Sequence, residues 1–258
     1  MSCKINMYKR IKMNKAIFVT VRTGSTRLVD KSILEINGRP TIEYLIERVK
    51  QSDLADNIIL CTTTLDEDDI LCSIAKKNNI KYFKGHPTNK WDRWLGACKE
   101  FNINFFVTAD GDDLFYEAGL ADICFKQYLD SNAMPNTFID GQGLYNDVYG
   151  IDIHALEKIC SQKNIEDIEP HNIVKYLQDS NIKPIKITNV PDIYKKNDIR
   201  MTLDYTEDFE FFKNVIEHFQ GKTFGLLEII QYINDNPEVK SINNHLEMAW
   251  KENQKRKN

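Results

Sequence analysis

Long apolar runs are missing from this sequence. No window approaches the ~18 apolar residues of a membrane-spanning helix, which excludes an integral membrane protein built of such helices. The first dozen residues, MSCKINMYKRIK, are basic but lack the apolar centre of a secretory signal, so a cytoplasmic location is the expectation. Charge of one sign is lacking too. With 34 Lys and Arg against 38 Asp and Glu, the formal net charge is -4, so bulk electrostatics give no reason to expect nucleic-acid binding and any anion must be captured locally. Cys3, Cys61, Cys72, Cys98, Cys124 and Cys160 never form C-x-x-C, and most sit in apolar runs, which reads as reduced, structural thiols. The histidines show no zinc spacing among themselves or with cysteine. Neither G-x-x-x-x-G-K-[ST] nor G-x-G-x-x-G occurs, which removes the Walker loop and the dinucleotide fingerprint. No internal repeat appears, and only the polar tail NQKRKN reads as frayed.

What is present is ordinary globular material, 42% hydrophobic and 28% charged, in a chain of 258 residues that can bury a sizeable core. One domain is the simplest reading, with residues 1–14 as an N-terminal extension and 15–258 as the domain. From Lys15 strands and helices alternate. KAIFVTV reads as a buried strand, and NIILCTTT, IKYFKG and NFFVTAD as further strands. TIEYLIERVKQS, DEDDILCSIAKKNN and KWDRWLGACKEF between them carry apolar residues at helical spacing. Such a series predicts a mainly parallel sheet covered by helices, with ligands at the carboxyl ends of the strands. After the helix GLADICFKQYLDS the rhythm changes. The segment from about 132 to 198, with short strands NTFID, DVYGIDI and IKPIKITNV among helices, reads as an insertion forming a lid or partner surface. RMTLD is expected to be a last short strand before a helix, and FGLLEIIQYIND and SINNHLEMAWKEN to be covering helices.

Three cations, Arg22, Arg27 and Lys31, lie within ten residues after the first strand, where their mutual repulsion calls for a negative partner. The small residues Thr23, Gly24, Ser25 and Thr26 among them can offer backbone N–H groups and hydroxyls, and Gly24 permits close approach or positive φ. Such a loop suits a polyphosphate; a solvated basic turn is the plainer alternative. The fourth strand ends in Thr108-Ala109-Asp110-Gly111-Asp112-Asp113, where crowded acids suit an oxygen-preferring cation such as Mg²⁺ or, more plainly, cap the next helix. Asp204 falls after RMTL, and Asp204-x-x-Glu207 is also a helix-capping pattern. A triphosphate loop together with a divalent-cation site suits attack on an α-phosphorus with departure of pyrophosphate, which is nucleotidyl transfer.

The run VRTGSTRLVDKSILEINGRPTIEYLIERV resembles the opening of the cytidylyltransferases that activate 3-deoxy-manno-octulosonate and acylneuraminate. More closely still, it resembles the related spore-coat polysaccharide cytidylyltransferases. KGHPTNKWDRW, VTADGDDL and RMTLDYTEDFE are similar to three further family motifs, in the same order. The resemblance implies a three-layer α/β/α, Rossmann-like fold of the nucleotide-diphospho-sugar transferase type, and a homodimer touching through the 132–198 insertion. It implies that Arg22 and Lys31 bind the phosphates of CTP, helped by Thr23, Gly24, Ser25, Thr26 and Arg27. Asp110 and Asp204 would hold Mg²⁺, and Thr108 would help to frame the cytosine. Tyr145, Asp147 and His171 fall on stretches similar to the family's acceptor side, the acceptor being an acidic sugar or another surface-polysaccharide precursor.

The chain departs from the family pattern at Val29-Asp30 beside Lys31, at Gly111-Asp112-Asp113 and at Tyr205, yet keeps every group named above. Two other readings stay open at this point. Asp110-Gly111-Asp112 is formally the D-x-D metal motif of nucleotide-sugar glycosyltransferases, and the departures also suit a nucleotide-binding protein without activity.

Overall fold

The structure is a computed structural model that describes residues 13–162, 173–195 and 198–247. In chain order the strands are β1 (Lys15–Thr20), β2 (Glu35–Ile36), β3 (Arg39–Pro40), β4 (Asn57–Thr63), β5 (Lys81–Gly85), β6 (Phe105–Asp110), β7 (Phe138–Gly141), β8 (Val148–Asp152) and β9 (Ile185–Lys186). The helices are α1 (Thr41–Val49), α2 (Asp69–Lys77), α3 (Lys90–Phe101), α4 (Ala118–Asp130), α5 (Ile153–Cys160), α6 (Ile173–Asp179), α7 (Thr206–His218), α8 (Leu226–Asp235) and α9 (Pro237–Ser241).

Seven strands form one sheet in the order β5-β4-β1-β6-β8-β7-β9, and β2 and β3 form a separate two-stranded ribbon. β1 lies between β4 and β6, parallel to both, so its apolar run is covered on both faces. The period of two sorts its side chains: Ile17 and Val19 join Leu45, Leu71 and Leu120 from α1, α2 and α4. Ala16 and Phe18 face the other way, onto Trp91 and Trp94 of α3 and Leu156 of α5. The two apolar faces of one sheet thus give the three-layer α/β/α arrangement that the alternation predicts. A third cluster ties Leu114 and Phe115, just after β6, to Met201 and Leu203 and to Phe211, Phe212, Ile229 and Ile230 of α7 and α8.

The 132–198 segment supplies β7, β8 and β9, which continue the central sheet. β8 runs antiparallel to β6 and β7 antiparallel to β8, so the sheet is mixed on this flank. RMTLD is not a strand. β6 already has β1 and β8 as neighbours, and residues 198–205 run alongside with Leu203 N donating to the Asp112 carbonyl at 3.0 Å. The expected helix over SINNHLEMAWKEN meets α9 at Ser241, turns cover 242–245, and Leu246 and Glu247 are again helical; residues 248–258 lie outside the described region. Cys61, Cys72, Cys98 and Cys124 are buried free thiols and Cys160 is a half-buried one, as their apolar settings predict. No helix among the described residues is long and apolar enough to cross a membrane.

The end of β6 must pass close to the end of β1, and Gly111 is what permits it. Its N–H donates to the Thr20 carbonyl at 2.9 Å. A Cβ there would meet Val21 Cβ and Cγ2 at 2.8 Å and the Thr20 oxygen at 3.2 Å. Gly111→Ala is therefore expected to destabilise the fold by about 1–3 kcal/mol through overpacking, measured as a lower urea midpoint. A midpoint equal to wild type would show that the two loops are free to separate.

Candidate active site

Parallel packing of β1 and β6 brings their two following loops to one edge of the sheet. The first loop is anchored at its start. Thr23 donates from its backbone N and its Oγ1 to Asp68 Oδ1, both at 2.7 Å, and Asp68 also accepts from Thr63. Burial pushes the Asp68 carboxyl up, but these hydrogen bonds outweigh it and hold the group below the ordinary carboxylate value. Thr23 is thus a buried anchor whose donors are already engaged, because a buried carboxylate needs them. Beyond it Gly24 and Thr26 are exposed and Ser25 is half-buried. The positive φ in this stretch belongs to Asp30, at 54°. Gly24 is not at positive φ, and a Cβ there would meet Glu67 Oε1 at 3.3 Å.

The cations of the loop divide. Arg22 is exposed and makes no ion pair among the described residues. Arg27 Nη2 lies 2.5 Å from Asp204 Oδ1, with its guanidinium over the Tyr205 ring. Lys31 Nζ reaches Asp204 Oδ1 at 2.9 Å, Asp112 Oδ2 at 2.9 Å and the Leu203 carbonyl at 2.8 Å. Burial lowers the Lys31 ammonium, while Asp112 and Asp204 more than offset this and leave it above the ordinary lysine value. For Asp204, burial works upward and the nearby Lys31 and Arg27 charges prevail, holding it low. The loop after β1, the turn after β6 and the segment before α7 therefore meet in one charged cluster.

Asp204 does not cap α7, as the Asp204-x-x-Glu207 pattern suggested. That task falls to Asp208, which accepts from Asp204 N at 2.9 Å and Tyr205 N at 3.0 Å, leaving the Asp204 carboxylate to Arg27 and Lys31. In the acidic turn, Asp110 is paired with Lys90 Nζ at 2.5 Å and Asp112 with Lys31. Burial and the charges of Asp112, Asp110 and Asp147 push Asp113 well above the ordinary carboxylate value. Thr108 is buried: its Oγ1 accepts from Tyr149 N at 3.1 Å and its carbonyl from the Tyr116 hydroxyl at 3.1 Å. Its hydroxyl thus ties β6 to β8. Tyr145 is buried in the third apolar cluster, while Asp147 is exposed and accepts from Gly143 N at 2.9 Å. His171 lies outside the described residues.

No group of three or more His, Cys, Asp or Glu among the described residues is arranged as a metal cage. Mg²⁺ does not require one, since it typically takes one or two carboxylates and fills its shell with substrate phosphate and water. Asp110 and Asp204 fit that description chemically: both are hard oxygen donors at the charged edge, and each holds a cationic side chain.

The sequence pattern of the cytidylyltransferases matches residues 16–234, which contain both loops, the acidic turn and Asp204. The chain belongs to the cytidylyltransferase family. It is a CTP-dependent nucleotidyltransferase, and the glycosyltransferase reading of Asp110-Gly111-Asp112 gives way. Among its relatives is the spore coat polysaccharide biosynthesis protein SpsF of Bacillus subtilis, 23% identical over 88% of this chain and 97% of that one. A 3-deoxy-manno-octulosonate cytidylyltransferase of Chloroherpeton thalassium is 23% identical over 72% of this chain and 68% of its own. A solved cytidylyltransferase structure from Leptospira borgpetersenii superposes with a TM-score of 0.77 at 25% identity, covering 88% of this chain and 97% of that chain.

Two cations of this cytidylyltransferase are not singled out by the motif reading. Lys90 and Arg93 sit on the first turn of α3, which a four-residue loop joins to the end of β5, so they belong to the same carboxyl edge by topology. Trp94 fixes that helix to the end of β1 through Nε1 and Thr20 Oγ1 at 2.8 Å. The available signal was position: KWDRW follows a parallel strand, and its cations fall at the helix start, where they oppose the helix dipole.

Proposed function

We propose that this cytidylyltransferase transfers CMP from CTP to an acidic sugar or related surface-polysaccharide precursor, with Mg²⁺ as cofactor and release of pyrophosphate. The acceptor class rests on the names of the relatives. The observation that carries the chemistry is the meeting of Arg27 and Lys31 with Asp112 and Asp204, from three separate segments, at the carboxyl edge of β1 and β6. An acceptor hydroxyl oxygen forms a bond to the α-phosphorus and gives up its proton. The bond from that phosphorus to the bridging oxygen breaks, and pyrophosphate leaves with the electron pair.

Lys31, Arg27 and Arg22 carry the charge that the leaving phosphates need, and they are preorganised on a loop anchored through Thr23. Asp110 and Asp204 would hold the metal, which when bound supplies charge neutralisation at the phosphate oxygens. The test is pyrophosphate release from each of the four nucleoside triphosphates, with and without Mg²⁺, against a panel of 2-keto acid sugars and sugar phosphates. Release with CTP and one acidic sugar, dependent on Mg²⁺, is the expected result. Turnover without added divalent ion in the presence of chelator removes the metal assignment, and preference for a neutral acceptor removes the substrate class.

Arg22 and Lys31 give a directed check. Arg22→Ala or Lys31→Ala is expected to lower turnover by about 10²-fold, the scale for loss of one preorganised charge-stabilising donor. Arg22 is exposed, so its variant is expected to keep the wild-type melting temperature. Normal turnover in a folded Arg22→Ala protein would place this arginine outside the phosphate clamp.

A further inference from the structure

α3 delivers an excess of positive charge to the Asp110 side of the site. Lys90 Nζ sits 2.5 Å from Asp110 Oδ1 and 4.9 Å from the centre of the Trp94 ring, on a side chain that is 16% exposed. One turn later Arg93 is 3% exposed, its Nε has no hydrogen-bond partner, and it makes no ion pair among the described residues. Burial lowers the Arg93 guanidinium, and the positive charge of Arg22 lowers it further. Two carboxylates act on Arg93 by their charge, Asp68 and Asp110, but the Asp68 oxygens are already taken up by hydrogen bonds from Thr23 and Thr63. Two carboxylates thus stand against the three positive charges of Arg22, Lys90 and Arg93. A buried guanidinium without a partner is costly, and a divalent ion at Asp110 would deepen the imbalance. The deficit is one of anionic oxygen, and a polyphosphate supplies it.

We propose that Lys90 is a nucleotide-contacting residue of this cytidylyltransferase, holding Asp110 in the ligand-free site and passing to a phosphate of CTP when the nucleotide binds. The inference rests on the CTP and Mg²⁺ reading above. Lys90 is suited to the exchange because an ammonium on a flexible four-carbon stem can swap one oxygen for another without the fixed geometry that a guanidinium demands. The Trp94 ring gives that stem a surface to pivot on. The Asp110 oxygen that Lys90 leaves is then open to a divalent cation. Nucleotide and metal are coupled by this exchange, since each is helped by the lysine's departure from Asp110.

The test measures the two ligands separately on the full chain by calorimetry, comparing wild type with Lys90→Met and Lys90→Arg. Without nucleotide, Lys90→Met is expected to bind Mn²⁺ about fivefold more tightly, because Asp110 no longer has a tethered competitor. With Mg²⁺ and no acceptor, the same variant is expected to bind CTP about tenfold more weakly, having lost a charge-assisted contact to phosphate. Lys90→Arg keeps the charge and is expected to stay nearer to wild type for CTP. The opposite signs are the diagnostic, since a lysine that merely holds the loop together would weaken both ligands or neither. Equal affinities in wild type and Lys90→Met, a loss of both together, or a Lys90→Arg protein as weak for CTP as Lys90→Met would each overturn the proposal. A wild-type protein that binds CTP while Lys90→Met matches it removes the lysine alone. A wild-type protein that binds no CTP removes the underlying reading as well.

Discussion

Asp204→Asn is expected to reduce Mg²⁺-dependent pyrophosphate release by about 10³-fold or more, near the loss of ~4 kcal/mol of transition-state stabilisation. The exchange is nearly isosteric and keeps an oxygen for Arg27 and Lys31, which contact Asp204 Oδ1 at 2.5 and 2.9 Å. What it removes is one negative charge, the property that a hard divalent cation reads. A purely helix-capping Asp204 would tolerate asparagine, which caps as well as aspartate. The structure assigns the capping bonds to Asp208 instead, so near-normal turnover in Asp204→Asn would count directly against its part in the chemistry. Asp110→Asn is expected to fall by a similar factor, and the double variant to be scarcely worse than either single one, because both serve one step. Additive losses would separate the two aspartates into independent roles.

The same residue carries a pH signature. Lys31 and Arg27 hold the Asp204 carboxyl below its ordinary value against the upward pull of burial. Its contribution to stability is therefore fully present above the unfolded value of ~3.9 and is lost as pH falls through the lower folded value. Asp204→Asn is expected to flatten that acid limb of the stability curve. Lys31 works in the opposite direction. Its raised folded value gives a contribution that is complete below ~10.4 and fades as pH rises through the folded value.

The sheet was legible because β1, β4 and β6 are largely buried runs and β5 a half-buried edge strand, separated by helices of clear periodicity, and that pattern has few other solutions. The site was legible as two loops at strand ends, since topology alone puts the end of β1 beside the end of β6. Partner choice was not legible. Nothing in the linear order says that Lys31 takes Asp112 and Asp204 while Asp110 takes Lys90, because those pairings depend on side-chain reach across segments 81, 173 and 20 positions apart. The misreading of RMTLD has a similar cause: its apolar residues are buried against α7 and α8 rather than in a sheet, and burial without pairing gives the same local pattern as a strand. Thr23 looked like a free donor and Thr108 like a free hydroxyl because a sequence does not show that Thr23 already donates to Asp68 and that the Thr108 Oγ1 already accepts from Tyr149 N.

The position of Asp204 depends in turn on a buried pair, and breaking it is expected to produce the largest stability change in the molecule. Arg200 is 1% exposed and grips Asp208 with two bonds, Nε to Oδ1 at 2.9 Å and Nη2 to Oδ2 at 3.0 Å. Asn243 Nδ2 also donates to Asp208 Oδ1 at 2.9 Å, and the backbone nitrogens of Asp204 and Tyr205 complete the shell of this fully buried carboxylate. Arg200 also reaches Glu247 Oε2 at 3.3 Å and Asp204 Oδ2 at 3.6 Å, but its two bonds to Asp208 are the short ones, so Arg200→Met, which leaves the Asp208 carboxylate buried without a cation, is expected to cost about 3–5 kcal/mol in urea unfolding, and Asp208→Leu somewhat less. Arg200→Met/Asp208→Leu removes both charges together and is expected to recover part of that loss, because the fully buried carboxylate and its guanidinium go as one; Glu247 is 19% exposed and keeps access to water. Catalysis is expected to separate from stability in this series. The double variant, though folded, still lacks the carboxylate that fixes Asp204 N, and its turnover is expected to stay low while its midpoint recovers. If turnover returns in step with the midpoint, Asp208 serves the fold alone; if the single variants unfold at the wild-type midpoint, the pair is not holding this corner of the site.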